Sequence, residues 1–169
     1  MLKVNHSNEK IVIPSLDENI NSIFLAGPIP RDKNILSWRV QAIEMLRKLD
    51  FDGIIYVPEY STGVARKSYV DQAMWEREGL DNATCIVFWV PRELKTMPAF
   101  TTNVEFGEYV SRRGHRVAYG RPEGAPKTKY LDWFFDYKQK REPNNTLEDT
   151  LKEAIKIASE KRILNMPKK

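Results

Sequence analysis

Two glutamates stand where a carboxylate can do covalent or proton-transfer chemistry. Glu105 lies in Thr101-Thr102-Asn103-Val104-Glu105-Phe106-Gly107, at the start of a helical segment that follows an apolar strand and its loop. A helix N-terminus carries partial positive charge and favours an ionised carboxylate, and such a carboxylate can act as a nucleophile. A first-turn glutamate can equally do no more than complement the helix dipole, so the residue alone leaves both readings open. Glu76 lies in Gln72-Ala73-Met74-Trp75-Glu76-Arg77-Glu78, on a helix leading into the next strand. It competes with Asp71, Glu78 and Asp81 for the inward face and reads, by itself, as one of several exposed helix charges.

The surrounding elements follow from apolar runs and their stops. Ser22-Ile23-Phe24-Leu25-Ala26 is continuously apolar after its serine and halted by Gly27-Pro28, as expected of a strand buried on both faces. Ile35, Trp38, Ala42, Met45, Leu46 and Leu49 recur at helical spacing, which predicts a helix ending near Asp50 with Asn34 as N-cap. Strands are predicted over Ile54–Val57, Cys85–Val90 and Arg116–Tyr119, with helices over Tyr69–Asn82, Thr102–Arg112 and the segment carrying Leu147, Leu151, Ala154, Ile155 and Ala158. A polar loop runs through Ser61, Thr62 and Gly63, and Leu131-Trp133-Phe134-Phe135 forms an aromatic cluster before a Lys-ending tail. The alternation βαβαβαβ with right-handed crossovers predicts a three-layer α/β fold: an open, mainly parallel sheet of flavodoxin or Rossmann-like type with helices on both faces. Residues 1–20 read as an N-terminal extension, with Ile11-Val12-Ile13 as a candidate edge strand, and residues 21–169 as one domain.

Ligands of open α/β sheets bind beyond the carboxyl ends of the strands, which directs attention to the loops starting at Gly27, Pro58, Pro91 and Gly120. The first, Gly27-Pro28-Ile29-Pro30-Arg31, combines close backbone approach with an arginine, although a plain strand stop and turn has the same composition. Neither GxxxxGK followed by Ser or Thr nor GxGxxG occurs, so phosphate cradles of those kinds are unsupported.

Composition narrows the function classes. The 169 residues are 41% hydrophobic, 30% charged and 11% aromatic, a globular composition for one domain. Apolar runs fall far short of the roughly 20 residues of a membrane helix, and no apolar signal segment follows Met1, so the expectation is a cytoplasmic protein without membrane partners. Cys85 is a lone cysteine, and His6 and His115 are the two histidines, which predicts neither a disulfide framework nor a metal site. Residues 1–126 balance basic and acidic side chains, so the whole net charge of +4 falls in residues 127–169. There Lys alternates with Asp and Glu, a solvated helical face rather than a nucleic-acid surface.

Several segments, taken in order, resemble the nucleoside 2-deoxyribosyltransferase family, in particular its divergent bacterial and phage branch. The resemblance runs from Ile23 to about Leu131. It rests on Phe24-Leu25-Ala26-Gly27-Pro28, on Trp75-Glu76 with Leu80, on Ala83 with Ile86-Val87-Phe88-Trp89-Val90-Pro91-Arg92, on Thr101 to Gly107, and on Tyr119-Gly120-Arg121-Pro122. It implies that Glu105 is the nucleophile taking the sugar's anomeric carbon and that Glu76 handles the leaving base. Substrate contacts are expected at Gly27, Pro28, Arg31, Trp89, Thr101, Thr102 and Asn103, and Phe24, Trp38, Phe88 and Trp89 are candidates for an aromatic wall or for plain core packing. The implied partners are a deoxynucleoside or deoxynucleotide and a free nucleobase, with no cofactor, and a homo-oligomer in which neighbouring subunits complete the site. By analogy with retaining glycosidases the two carboxylates should lie about 5–5.5 Å apart or somewhat more.

The chain departs from the family pattern at Ala83-Thr84, where many members have Ala-Asp, and in the loop Arg92–Phe100, which looks longer than in compact members. It also reads Ala99-Phe100-Thr101-Thr102 where the related deoxynucleoside monophosphate N-hydrolases place a phosphate-holding serine. Transfer between bases, hydrolysis of a 5′-monophosphate and a non-catalytic nucleotide-binding module all remain compatible with these residues.

Overall fold

Five strands build one fully parallel sheet in the computed structural model, which describes residues 1–15, 18–32, 34–61 and 68–164, the last four by backbone alone. Chain order is β1 (Lys3–His6), β2 (Ser22–Ala26), α1 (Trp38–Lys48), β3 (Ile54–Val57), α2 (Tyr69–Asn82), β4 (Cys85–Trp89), α3 (Phe100–Arg113), β5 (Val117–Gly120), α4 (Lys129–Gln139) and α5 (Leu147–Leu164). The strands lie in the order β1-β3-β2-β4-β5, with Ile23 opposite Ile55 on one side and Cys85 on the other.

Side chains alternate across the sheet and divide the core in two. Phe24, Tyr56, Phe88 and Tyr119 point to the face covered by α2, α3 and α4, where they meet Trp75, Phe106 and Phe135. Leu25, Ile55, Val87 and Ala118 point the other way, onto Ala42 and Leu46 of α1 and Leu151, Ala154 and Ala158 of α5. Helices therefore flank both faces, as the βα alternation predicts. Thr84 pins the start of β4 to β2: its hydroxyl donates to the Ser22 carbonyl at 2.6 Å and accepts from the Ser22 N–H at 2.7 Å.

Four expectations need correction. The edge strand is Lys3–His6, paired with β3 from Lys3↔Ile54 to His6↔Val57, whereas Ile11-Val12-Ile13 is an irregular segment packed on the α2/α3 side of the core. The backbone of Val12 is satisfied by side chains, its N–H by Asn5 Oδ1 at 2.9 Å and its carbonyl by the Tyr56 hydroxyl at 2.7 Å, so it needs no ladder. Helix α1 begins at Trp38 rather than Ile35. Its N-cap is Ser37, which is extended at ψ 134° and accepts from the Arg39 N–H, not Asn34. Helix α3 starts at Phe100, two residues early, because Ala99 turns the chain at φ 61°. After α3 a 3-10 turn covers Gly114–Arg116, so β5 opens at Val117. In the polar loop after β3, Thr62 and Gly63 lie outside the described residues, as does the tail after Leu164.

Candidate active site

The chain leaves β2 toward β3 and later crosses back to β4 on β2's other side, so the loops after β2 and β4 part and leave a crevice at the carboxyl ends of these strands. A cleft of about 270 Å³ occupies this position. Its walls come from Gly27, Pro28, Ile29 and Arg31 after β2, Pro58 after β3, Glu76 of α2, Arg39 of α1, and Pro98 to Thr102 with Glu105 at the start of α3.

The floor is held from below by α1. Gly27 has φ +152°, and a Cβ there would sit 2.2 Å from the Trp89 carbonyl oxygen, so only glycine lets the β2 loop cross the end of β4. Trp38 Nε1 donates to the Pro28 carbonyl at 3.1 Å. Arg39, only 1% exposed, donates to three carbonyls at the same strand end: Nε to Leu25 O at 2.9 Å, NH2 to Gly27 O at 2.7 Å and NH1 to Pro28 O at 3.3 Å. Its counter-charge is Glu59, at 2.5 Å, which also accepts from the Ser37 hydroxyl at 2.8 Å. Burial disfavours the guanidinium charge while Glu59, and more weakly Glu76 and Glu105, restore it.

Glu76 and Glu105 reach the cleft from two helices. Gly79, one turn beyond Glu76, lets α2 settle on the Phe24 ring, which an added Cβ would approach to 2.7 Å. Gln72 bridges the Pro58 carbonyl, at 3.2 Å, and Glu76 Oε1, at 2.6 Å, and so fixes the carboxylate from one turn before it. Burial raises the pKa of Glu76, with the Gln72 hydrogen bond and the Arg39 charge working against it. Glu105 is raised to about 7, first by burial and then by the neighbouring charge of Glu76, while Arg39 pulls it back. This reverses the expected effect of the helix N-terminus. Glu105 sits in the second turn of α3, inside the cleft, where desolvation outweighs the dipole, which falls off within the first turn. Because the charge of Glu76 raises Glu105, ionising one carboxylate opposes ionising the other, and such neighbours titrate as a pair.

The rim is polar and anion-friendly. No side chain caps α3, and Phe100, Thr101 and Thr102 of its first turn line the cleft with their backbone at the helix N-terminus. Arg31 stacks over the Phe100 ring at 5.6 Å, and its N–H donates to the Thr96 carbonyl at 2.8 Å. That carbonyl is presented by the long loop after β4, which turns tightly because Glu93 accepts from the N–H groups of Lys95 and Thr96 and from the Thr96 hydroxyl. The same three hydrogen bonds help hold Glu93 below the usual carboxylate range.

Of the residues singled out in the sequence, the cleft brings together Gly27, Pro28, Arg31, Glu76, Thr101, Thr102 and Glu105. Trp89 packs among the α1/α5 core residues, because strand alternation turns it to the other face from Phe88, and Asn103 faces a separate cavity between α3 and α4. Phe24 is the one member of the proposed aromatic wall that lines the cleft. Arg39, Glu59, Gln72 and Gly79 were not singled out. Gln72 and Glu76 stand at i, i+4, a spacing that signals a side-chain pair on one helix face. Arg39 carries no such signal, since a helical arginine ordinarily reads as solvated. Among the described residues no group of three or more His, Cys, Asp or Glu could hold a metal ion, and no helix is long and apolar enough to cross a membrane.

Residues 20–123 match the family described as nucleoside 2-deoxyribosyltransferase like, a span that contains every cleft residue named above, and the chain belongs to that family. A search of curated proteins found no match.

Proposed function

We propose that this member of the nucleoside 2-deoxyribosyltransferase-like family cleaves the N-glycosidic bond of 2′-deoxynucleosides through a covalent deoxyribosyl-Glu105 intermediate. The observation that carries the reading is the placement of Glu76 and Glu105 on two helices of one cleft, where burial raises both carboxylates and the charge of Glu76 raises Glu105 further, which supports one proton shared between them.

The shared proton supplies the division of labour. An acceptor atom on the bound base favours the proton on Glu76, which leaves Glu105 ionised beside the anomeric carbon. Attack by a Glu105 oxygen forms a C1′–O bond as the C1′–N bond breaks, and the proton passes from Glu76 to the departing base. In the second half an incoming base, or water, gives its proton to Glu76 and takes C1′ from Glu105, which regains its charge. Arg39 lies behind both carboxylates and moderates the cost of having either ionised in the dry site.

A chromatographic assay of thymidine with adenine tests this. New deoxyadenosine with free thymine is the outcome of transfer, and thymine with free deoxyribose is that of hydrolysis. No base release from any deoxynucleoside or its monophosphate, with ligand-induced thermal stabilisation alone, would leave a non-catalytic binding module. A deoxyribosyl adduct on the intact protein during turnover is the independent check on the intermediate.

Hydrolysis of a 5′-monophosphate is the second reading, favoured by Arg31, Thr101, Thr102 and the uncapped start of α3 on one rim. A phosphate dianion needs such donors to offset its desolvation. Comparing initial rates on deoxyadenosine, its monophosphate and adenosine separates the substrates. Self-association belongs to the same proposal: Trp133 and Tyr137 are exposed and stacked on each other along α4. A monomer with full activity by light scattering at micromolar concentration would refute it.

A further inference from the structure

A second cavity, of about 310 Å³, opens between α3 and α4 and shares no lining residue with the cleft. Its polar end is Arg92, which is 7% exposed. The guanidinium donates from NH1 to the Lys127 carbonyl at 2.5 Å and from NH2 to Asn103 Oδ1, both uncharged acceptors, and its buried Nε has no partner. Among the described residues no carboxylate forms an ion pair with it. A buried cation lacking a counter-charge is costly, and arginine's planar fork suits a carboxylate or phosphate. Lys127 lines the same cavity, and the rest of the wall includes the rings of Tyr130 and Phe134.

The third feature is Gly107. Glycine inside a helix costs stability relative to alanine, yet here an added Cβ would meet nothing within 4 Å. No close approach of a neighbouring element requires it; the space beside it is the cavity itself.

We infer that this cavity is a binding site for a small aryl anion, a planar ring bearing a phosphate or carboxylate, with the anion on Arg92 and Lys127 and the ring against Tyr130 and Phe134. The site is independent of the glycosidic chemistry. It adjoins it in one respect: Asn103 lines the cavity while Thr102 and Glu105 line the cleft, so the first turns of α3 form a wall common to both.

The test uses phenyl phosphate, benzoate and the neutral benzamide as probes of protein carrying 15N-labelled arginine. The Arg92 Nε–H resonance, assigned by its loss in Arg92→Lys, should shift saturably with one or both anions, at a Kd at least tenfold below that for benzamide. Response to phenyl phosphate alone identifies a phosphate site, to benzoate alone a carboxylate site, and to both a general anion site. Gly107→Leu fills the space and should weaken anion binding at least tenfold with the circular dichroism unchanged. If that variant does not fold, Lys127→Ala replaces it, with at least threefold weakening expected. Absence of a shift, benzamide binding as tightly as the anions, or an unchanged Kd in the folded blocking variant would overturn the site.

Discussion

Glu59 on the loop after β3 accepts the buried Arg39 guanidinium at 2.5 Å, and through it the end of β3 is tied to the carbonyls of Leu25, Gly27 and Pro28 at the end of β2. The pair therefore joins two of the loops that form the cleft. Arg39→Met leaves Glu59 without its counter-charge and takes a donor from the carbonyls of Leu25, Gly27 and Pro28, and breaking a buried pair by removing one partner costs about 3–5 kcal/mol. Glu59→Gln keeps an acceptor and should cost about 1–2 kcal/mol. Urea unfolding measures both, and a loss below about 1 kcal/mol in Arg39→Met would show that the guanidinium does not hold the loops.

The carboxylate pair sets the pH profile. With Glu105 raised to about 7, in part by the charge of Glu76, the proton that the proposed mechanism shares between them is lost as pH rises through that value. The productive form has one proton, so kcat/KM should fall as pH rises through about 7 and fall again at acid pH as the second carboxylate is protonated. Glu76→Gln removes the like charge, and Glu105 then moves down toward the ordinary range. With an N7-methylated deoxyguanosine, whose cationic base departs without a proton, this variant should keep most of its rate and lose the alkaline limb. A flat wild-type profile between pH 5.5 and 8.5 would count against a shared proton.

Glu105 should also burden the fold at high pH. Its folded pKa of about 7 lies above the ordinary 4.5, so the native state binds more protons than the unfolded chain between those values. The associated stability is present below about pH 4.5 and lost as pH rises through 7, a change of up to about 3 kcal/mol. Glu105→Gln escapes it. The variant should melt above the wild type at pH 8 and converge with it near pH 5, while base release falls by far more than tenfold. Retention of over a tenth of the rate, a barrier change under about 1.4 kcal/mol, would remove Glu105 as the nucleophile.

The strands β2, β3 and β4 were legible because each is apolar on both faces and stopped by Gly or Pro, a pattern that burial between two helix layers imposes. Lys3–His6 was not, since an edge strand has one neighbour and its residues alternate toward solvent. Ile11-Val12-Ile13 looked more strand-like and is held instead by Asn5 and Tyr56, partners distant in sequence that no local pattern discloses. Both candidate carboxylates were visible, but Glu76 only through the family resemblance. Its distinction from Glu78 and Asp81 arises from the approach of α2 to Phe24. Arg39 was invisible for the same reason: its role depends on carbonyls that only the folded β2 loop presents.

Two helix glycines should respond in opposite directions to the same substitution. Gly107→Ala adds a methyl in open space and gains helix propensity, about 1 kcal/mol, which for a chain of this size raises Tm by about 2–4 °C. Gly79→Ala gains the same propensity but sets its Cβ 2.7 Å from the ring of Phe24, itself packed against Tyr56 and Trp75 and 1% exposed. Overpacking of this kind costs about 1–3 kcal/mol, so the net change is a loss of up to about 2 kcal/mol. Relief comes most directly from lifting α2, and Glu76 stands one turn away on that helix. A displacement near 1 Å at a catalytic group can cost about a hundredfold in rate. Gly79→Ala should therefore lose kcat well beyond its loss of stability, and most of the deficit should vanish with the N7-methylated substrate that does not need Glu76. Equal deficits on both substrates would mean that Gly79 serves packing without positioning Glu76.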